Sequence, residues 1–127
     1  MILGIGHDLL RPGRIVPSSL SGDDPFCRRA FTATEREQAY ARGADCDRFL
    51  QGRFCAKEAI YKALSFCGEE FHPGEIEILD DANLHPIVTL SGRTKAAFDA
   101  FAQGPYRVLV SLTYEDNLIS AFALVEA

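Results

Sequence analysis

Hydrophobic and polar residues alternate weakly over residues 2–10, the first stretch of the chain with a recognisable period. This two-residue period predicts a strand that ends near the polar pair His7 and Asp8. Prolines and a glycine break the pattern over residues 11–17, which we expect to form a loop. Residues 18–31 favour only short helices, because a glycine and a proline interrupt them.

The next stretch changes to the spacing of helices. Thr32 and Glu35 have the spacing of a capping box, which predicts a helix over about 33–42. The longest helical pattern runs from about Asp45, which suits the N-cap, to Phe66, and Gly68 suits its C-terminal end. Apolar residues on one arc give this helix a packing side and leave another arc free for charged residues. The packing side consists of Phe49, Ala56, Ile60, Ala63, Leu64 and Cys67.

The second half of the chain predicts two hairpins and one more helix. The expected elements are strands over 75–78 and 86–90, a helix over 92–102 capped by Ser91, and strands over 106–113 and 118–125. This order indicates an α+β fold, in which a mostly antiparallel sheet packs against one long helix and shorter helices. The length of 127 residues, without a repeat or a linker, predicts a single domain over 1–127.

The composition is that of an ordinary globular protein, with 47% hydrophobic and 24% charged residues. No apolar run approaches the roughly 20 residues of a membrane helix, so we expect no bilayer span. The net charge of −5 is uneven: residues 1–64 carry 10 basic and 8 acidic side chains, and residues 65–127 carry 3 and 10. A net acidic chain argues against nucleic acid as a partner. The first half leaves open either a basic patch for an acidic partner or a solvated surface of mixed charge.

The four cysteines lack the C-x-x-C spacing of a zinc site. Their even number permits two disulfides, but nothing else in the sequence is typical of a secreted protein. The first residues lack the basic region and cleavage site of a signal peptide. We therefore expect reduced cysteines and a cytoplasmic protein.

Three segments contain residues suited to catalysis or ligand binding. In two of them, an ordinary structural role also explains the residues. Asp8 follows Gly4 and Gly6 at a strand end, where glycines permit close approach of a backbone or a ligand. Asp8 equally suits the cap of a turn, and the segment does not continue as the G-x-G-x-x-G loop of dinucleotide-binding folds. Residues 110–115 are also typical of a strand that enters a hairpin turn.

Glu58 and Lys62 form the third and most informative feature. Their spacing and order suit a surface salt bridge worth about 0.2–0.5 kcal/mol. Their apolar surroundings argue for another role, because ionised groups there need partners such as Mg²⁺ and phosphate. Arg53 lies within the apolar arc, where a cation indicates a bound anion or a subunit interface.

Together these segments resemble one family, the holo-acyl-carrier-protein synthases, which are the small trimeric type of 4′-phosphopantetheinyl transferase. The resemblance covers nearly the whole chain and combines motifs that are each weak alone. They are Gly4-Ile5-Gly6-His7-Asp8, Arg14-Ile15, Phe31-Thr32 with Glu35, Phe49-Leu50 with Gly52-Arg53-Phe54-Cys55-Ala56-Lys57-Glu58-Ala59 and Lys62-Ala63-Leu64, Pro86 to Gly92, and Ser111 with Thr113.

The resemblance implies transfer of 4′-phosphopantetheine from coenzyme A to a serine of an apo-acyl carrier protein, with release of 3′,5′-ADP. It implies that Asp8 and Glu58 bind Mg²⁺ and that Glu58, or a water it holds, accepts the serine proton. Lys62 would then assist the leaving 3′,5′-ADP, which makes Asp8, Glu58 and Lys62 the expected catalytic residues. The residues implied in coenzyme A binding are Arg53, Lys57, Lys62, Pro86 and Thr113.

Carrier binding and assembly are also implied by the resemblance. Carrier proteins are strongly acidic, and Arg14 matches a family position that meets the carrier. Arg11, Arg28 and Arg29 extend this basic patch. The family assembles as a trimer with active sites between subunits, so we expect a homotrimer.

Two positions depart from the family pattern. Tyr114 stands where the family usually has a histidine, and a phenol is uncharged near neutral pH. Arg11 reverses the sign of a position that is commonly acidic. Two alternatives therefore stay open: a carrier-binding homologue that has lost turnover, and a Mg²⁺-dependent hydrolase of nucleotide diphosphates.

Overall fold

The computed structural model describes residues 1–64 and 68–127. The strands are β1 (Ile2–Leu10), β2 (Ile76–Asp80), β3 (Pro86–Leu90), β4 (Arg107–Glu115) and β5 (Leu118–Glu126). The α-helices are α1 (Pro25–Ala30), α2 (Ala33–Tyr40), α3 (Cys46–Ala63) and α4 (Gly92–Ala102). Short 3₁₀ turns occur at Pro12–Arg14, Pro17–Leu20, Gly43–Asp45 and Pro73–Glu75.

The strands form two antiparallel sheets rather than one. Strands β1, β5 and β4 pair in that order, and β2 pairs with β3 as a separate hairpin. The predicted α+β class and the antiparallel pairing are confirmed. The division into two sheets leaves β3 and β4 as neighbouring edges without ladder pairing between them.

Helix α3 crosses the inner face of the three-stranded sheet and packs on β1 and β5. Two glycines of β1 permit this contact. A Cβ on Gly6 would lie 1.8 Å from the carbonyl oxygen of Ala59, and one on Gly4 would lie 2.3 Å from that of Ala63. The close approach predicted at these glycines is therefore made by the helix backbone, which sets the next inward residue of β1, Asp8, beside α3.

The apolar arc of α3 forms the centre of the core. Its predicted members Phe49, Ala56, Ile60, Ala63 and Leu64 are all buried. Cys67, the last member, and the predicted helix end at Phe66 lie outside the described residues. Cys27, Cys46 and Cys55 are free thiols.

The three predicted N-caps have different outcomes. Asp45 stands at the N-cap position of α3, but its side chain makes no capping hydrogen bond. The capping box of α2 is confirmed, since the Thr32 side chain accepts from the Glu35 N–H and the Glu35 carboxylate accepts from the Thr32 N–H. The expectation for Ser91 is wrong, because its side chain makes no capping hydrogen bond. The Glu75 carboxylate accepts from the backbone N–H groups of Arg93 and Thr94 instead.

The outer face of the three-stranded sheet carries exposed apolar side chains among polar ones such as His7 and Thr113. Ile5 and Leu9 on β1, Leu109 on β4 and Phe122 on β5 are 60%, 55%, 45% and 46% exposed. Ile5 and Leu109 lie on either side of Leu124, and Phe122 pairs with His7, which lies between Ile5 and Leu9 on β1. None of the helices in residues 1–64 and 68–127 has the length and apolar character needed to cross a membrane.

Candidate active site

Asp8, Glu58 and Lys62 lie together where β1 meets α3. Asp8 is on the inner face of β1 and is 7% exposed. The Lys62 ammonium donates to Asp8 Oδ1 at 2.7 Å and lies 3.5 Å from the carbonyl oxygen of His7. Glu58, one turn earlier on α3, is partly buried and close enough to Asp8 for a side-chain hydrogen bond. The three predicted catalytic residues are thus one cluster, and Lys62 forms its ion pair with Asp8.

The surroundings raise the pKa of both Glu58 and Lys62, which disfavours the charged form of the acid and favours that of the base. Burial raises the pKa of Glu58, and the neighbouring Asp8 carboxylate raises it further. The hydrogen bond to Asp8 raises the pKa of Lys62, so that its ammonium stays charged at neutral pH. The cluster contains two carboxyl groups and one ammonium group, so it can bind a further cation.

Carboxylate oxygens in this arrangement suit Mg²⁺. Within residues 1–64 and 68–127 no group of three or more His, Cys, Asp or Glu side chains could hold a metal. Asp8 and Glu58 would therefore supply two ligands and leave the other positions to water and substrate oxygens. That division is typical of Mg²⁺, which keeps its waters and is commonly held by one or two carboxylates plus phosphate.

The structure contradicts the expectation that Lys57 binds coenzyme A. Its side chain is completely buried, and its three N–H donors are used by Ala30 O at 2.7 Å, Glu35 Oε1 at 2.7 Å and Pro73 O at 2.8 Å. Burial lowers the pKa of Lys57, and Glu35 opposes that shift. Lys57 faces the core and joins α3 to the segments around it.

Arg53 lies on a different side of α3, in a cavity of about 380 Å³ that Pro86 also lines. Its guanidinium donates to Asp80 Oδ1 at 2.5 Å, and Arg42 donates to Asp80 Oδ2 at 2.5 Å. Both guanidinium groups lie over the Phe49 ring, at 4.2 and 4.8 Å from its centroid. Two cations share one carboxylate, so the cavity keeps a net positive charge.

Arg53 also has unused hydrogen-bonding capacity. It is 3% exposed, and in the described part of the chain its buried Nε has no hydrogen-bond partner. A buried donor without an acceptor is costly, and a phosphate oxygen would satisfy it. Arg42 and Asp80 supply the other charged groups of this cavity, which we call the anion cavity for its net positive charge, and neither was expected from the sequence.

Tyr114 lines the same cavity from β4. Its ring lies against α3 at Gly52, where a Cβ would be 2.0 Å from the phenol oxygen. The Arg48 guanidinium covers the ring at 5.1 Å from its centroid. Burial raises the pKa of Tyr114, so it offers a neutral hydroxyl. Thr113, one residue earlier on the strand, is exposed on the outer face of the sheet and does not line this cavity.

Arg14, one of the expected carrier-binding arginines, lines a third feature, an apolar cavity of about 350 Å³. Glu58 also lines this cavity, together with Leu10, Phe26 and Phe54. Arg14 is exposed, as are the other expected arginines, Arg11, Arg28 and Arg29. Arg28 donates to the carbonyl oxygen of Gly22 at 3.0 Å. An apolar cavity lined by an exposed arginine suits an acidic, partly apolar surface.

Within a single chain, the residues expected in the active site therefore lie on two separate surfaces. Arg53 and Glu58 are five residues apart on α3, which puts them roughly 140° apart around the helix. The carboxylate cluster with Glu58 and the anion cavity with Arg53 have no lining residue in common. Neither surface alone carries all the residues expected for the reaction.

A family model described as the 4′-phosphopantetheinyl transferase superfamily matches residues 4–114. The chain belongs to this superfamily. The matched range begins at the first glycine of β1 and ends at Tyr114, so it includes both the carboxylate cluster and the anion cavity.

Individual relatives agree with this membership. A holo-acyl-carrier-protein synthase from Desulforudis audaxviator is 39% identical over 126 residues, which are 98% of this chain and 92% of that protein. A Chronobacterium ammoniagenes ACPS–CoA complex matches 97% of this chain and 96% of its own at a TM-score of 0.80 and 25% identity. A Bacillus anthracis holo-acyl-carrier-protein synthase in complex with CoA (3′,5′-ADP) matches 100% and 98%, with a TM-score of 0.74 and 29% identity.

Membership of the superfamily confirms the expected fold and, at the family level, the expected enzyme class. Tyr114 is one of the two positions that depart from the family pattern, and the structure shows where its side chain lies. The phenol of Tyr114 takes up space left by Gly52 beneath Arg48, so a side chain without positive charge closes one wall of the anion cavity. Arg42 is a second guanidinium in the same cavity.

Proposed function

We propose that this chain transfers 4′-phosphopantetheine from coenzyme A to a serine of an apo-acyl carrier protein and releases 3′,5′-ADP in a Mg²⁺-dependent reaction. The observation that carries the proposal is the cluster of Asp8, Glu58 and Lys62 at the contact of β1 and α3. Two carboxylates and a lysine in this arrangement have the chemistry that phosphoryl transfer requires.

Asp8 and Glu58 would hold the Mg²⁺, which neutralises charge on the diphosphate oxygens when bound. Glu58, or a metal-bound water that it holds, would accept the serine proton. The serine oxygen forms a bond to the phosphorus that carries pantetheine, and the bond from that phosphorus to the 3′,5′-ADP oxygen breaks. Lys62 carries a positive charge. Once its ammonium group releases Asp8, it would stabilise or protonate the departing phosphate.

Arg53 and Pro86 would bind the nucleotide half of coenzyme A. The anion cavity supports this assignment, because it combines a net positive charge with the unpartnered Nε of Arg53. Lys57 is not part of the proposed site, since all of its donors are used inside the core.

A homotrimer would unite the two surfaces. The exposed apolar side chains on the outer face of the three-stranded sheet support a subunit interface, because exposing Ile5, Leu9, Leu109 and Phe122 on one face to water is costly. Thr113 lies on that face, so its expected part in coenzyme A binding would be made toward a neighbouring subunit. Each active site would then combine the carboxylate cluster of one subunit with the anion cavity of the next.

The carrier protein would dock beside Glu58. The apolar cavity there can accept a side chain, and the positive charges of Arg14, Arg11 and Arg28 attract an acidic helix. This arrangement delivers the carrier serine to the base and the metal ligands. We place the reaction in the cytoplasm, where the free thiols of this chain stay reduced.

The release of 3′,5′-ADP tests the proposal against its alternatives. The protein is incubated with coenzyme A and Mg²⁺, with and without an apo-acyl carrier protein, and nucleotide products are separated by chromatography. The proposal predicts 3′,5′-ADP only when the carrier is present. Release without the carrier indicates a hydrolase, and coenzyme A binding without release indicates a homologue that has lost turnover; either result contradicts the proposal.

A further inference from the structure

The ammonium group of Lys62 takes a position on Asp8 that a metal ion also needs. It donates to Asp8 Oδ1 at 2.7 Å, and Asp8 is buried. Glu58 lies one turn earlier on α3 and is close enough to Asp8 for a side-chain hydrogen bond. A cation bound by both carboxylates would therefore lie beside the ammonium, and two positive charges at such a separation repel each other.

The surroundings of Lys62 allow its side chain to leave Asp8. That side chain is 50% exposed, and the structure shows its ammonium near Asp8 Oδ1 and, at 3.5 Å, the carbonyl oxygen of His7. Lys57, on the same helix, is the contrast, because it is completely buried and held by three acceptors. Lys62 can thus exchange one partner for another without disturbing the core, whereas Lys57 cannot.

A diphosphate is the partner that would draw Lys62 away from Asp8. Without it, a metal ion at Asp8 and Glu58 must share the site with the ammonium or displace the ammonium into water, and either alternative weakens metal binding. Diphosphate oxygens can accept from the ammonium and can also serve as ligands of the metal ion. The metal ion and the diphosphate therefore favour the same position of Lys62, away from Asp8.

We propose that Lys62 makes metal binding at Asp8 and Glu58 conditional on the diphosphate of coenzyme A, so that the metal ion alone binds weakly. This inference rests on the proposed function and deepens it, because it gives Lys62 a part in substrate selection before any bond is broken. Coupling between two ligands is reciprocal, so the metal ion strengthens coenzyme A binding by the same factor. The site thus selects a metal-bound diphosphate over either component alone.

Mn²⁺ binding, followed by electron paramagnetic resonance, measures this coupling without turnover. Mn²⁺ prefers the same oxygen ligands as Mg²⁺. The protein is titrated with Mn²⁺ with and without coenzyme A and with no carrier protein, and a blank corrects for Mn²⁺ bound by coenzyme A itself. We expect coenzyme A to raise the Mn²⁺ affinity of the wild type by about tenfold. Glu58→Gln should lose this binding, which assigns the signal to the carboxylate cluster.

Lys62→Met removes the ammonium and keeps an unbranched apolar side chain. It should bind Mn²⁺ about tenfold more tightly than the wild type without coenzyme A, and coenzyme A should then change its Mn²⁺ affinity by less than about threefold. The ratio of the two affinities is the specific readout. A positive charge that merely lies nearby would weaken Mn²⁺ binding equally in both conditions, and its removal would leave that ratio unchanged.

Two further variants are matched controls. Lys62→Arg keeps a cation at the same position, and its ratio should stay within about threefold of the wild-type ratio. Lys95→Met removes an ammonium of similar exposure that pairs with Asp99 on α4, and it should leave both Mn²⁺ affinities unchanged.

The outcomes distinguish this inference from the proposed function. Equal Mn²⁺ affinity of the wild type with and without coenzyme A overturns the coupling and leaves the proposed function intact. A Lys62→Met variant with the wild-type ratio overturns the role of Lys62 in that coupling. A folded wild type that binds no Mn²⁺ in either condition overturns the metal site, and the Mg²⁺-dependent function with it.

Discussion

Glu58 is the residue on which charge and stability conflict most directly. Its ionised form faces the Asp8 carboxylate in a partly buried position, and the positive charges of Lys62 and Arg14 partly relieve the repulsion. Such a site favours the protonated acid in the absence of a bound cation. A group held in an unfavourable charge state for the sake of function is expected to cost stability.

Removing the charge of Glu58 should therefore stabilise the ligand-free protein. The folded-state pKa of Glu58 is raised, so its favourable contribution is present below the unfolded pKa of about 4.3 and is lost as pH rises through the folded value. Glu58→Gln should be more stable than the wild type at neutral pH, and the difference should shrink toward acidic pH. Urea unfolding across this pH range measures it.

Glu37→Gln is the control, because Glu37 is an exposed carboxylate on α2. Its stability relative to the wild type should change little with pH. A Glu58→Gln variant that is less stable than the wild type at neutral pH would contradict the assignment of Glu58 as a strained metal ligand.

The contact of β1 with α3 is the element-scale feature that builds the site. No side chain larger than hydrogen fits at Gly6, because the Ala59 carbonyl oxygen would lie 1.8 Å from a Cβ. Gly6→Ala must separate the strand from the helix, which we expect to cost roughly 3 kcal/mol and to move Asp8 away from Lys62. Thermal or urea unfolding measures the loss. Gly13→Ala is the control, since nothing lies within 4 Å of its Cβ position; equal stability of the two variants would show that the strand does not need this contact.

The buried pair of Lys57 and Glu35 fixes the orientation of α3. Glu35 also accepts from the N–H groups of Thr32 and Ile78, so the pair links α2, α3 and β2. Lys57→Met leaves the Glu35 carboxylate buried without its cation and should cost about 3–5 kcal/mol. Lys95→Met, at an exposed pair with Asp99, should change stability by less than about 0.5 kcal/mol. A loss at Lys57 no larger than that at Lys95, measured by urea unfolding, would exclude this structural role.

Features that depend on residues close together in the sequence could be predicted, and features that depend on residues far apart in the sequence could not. The capping box of α2 spans three residues, and the glycines of β1 precede Asp8 directly, so local patterns were enough. The cap of α4 comes from Glu75, 19 residues before Thr94. The charge pairs of Asp80 with Arg53 and Arg42 span 27 and 38 residues. Contacts at such separations leave no period in the sequence, and Lys57 was misassigned for the same reason.

Assembly is the feature of the whole molecule on which the proposed site depends. The wild type should be a trimer by light scattering, and Phe122→Asp should dissociate it, because a carboxylate would be placed within the apolar outer face of the sheet. Transferase activity should fall with the loss of the trimer. Tyr40→Asp is the control, since Tyr40 is similarly exposed but lies on α2. A wild type that is monomeric and fully active would contradict a site shared between subunits.

The most direct test of the proposed transferase activity is the intact mass of an apo-acyl carrier protein after incubation with this protein, coenzyme A and Mg²⁺. EDTA and the Glu58→Gln variant are the controls, and that variant should remain folded. We predict a mass gain of one phosphopantetheine on the carrier, abolished by both controls. No gain on any of several apo carriers, with the enzyme shown to be folded, would show that this protein is not such a transferase.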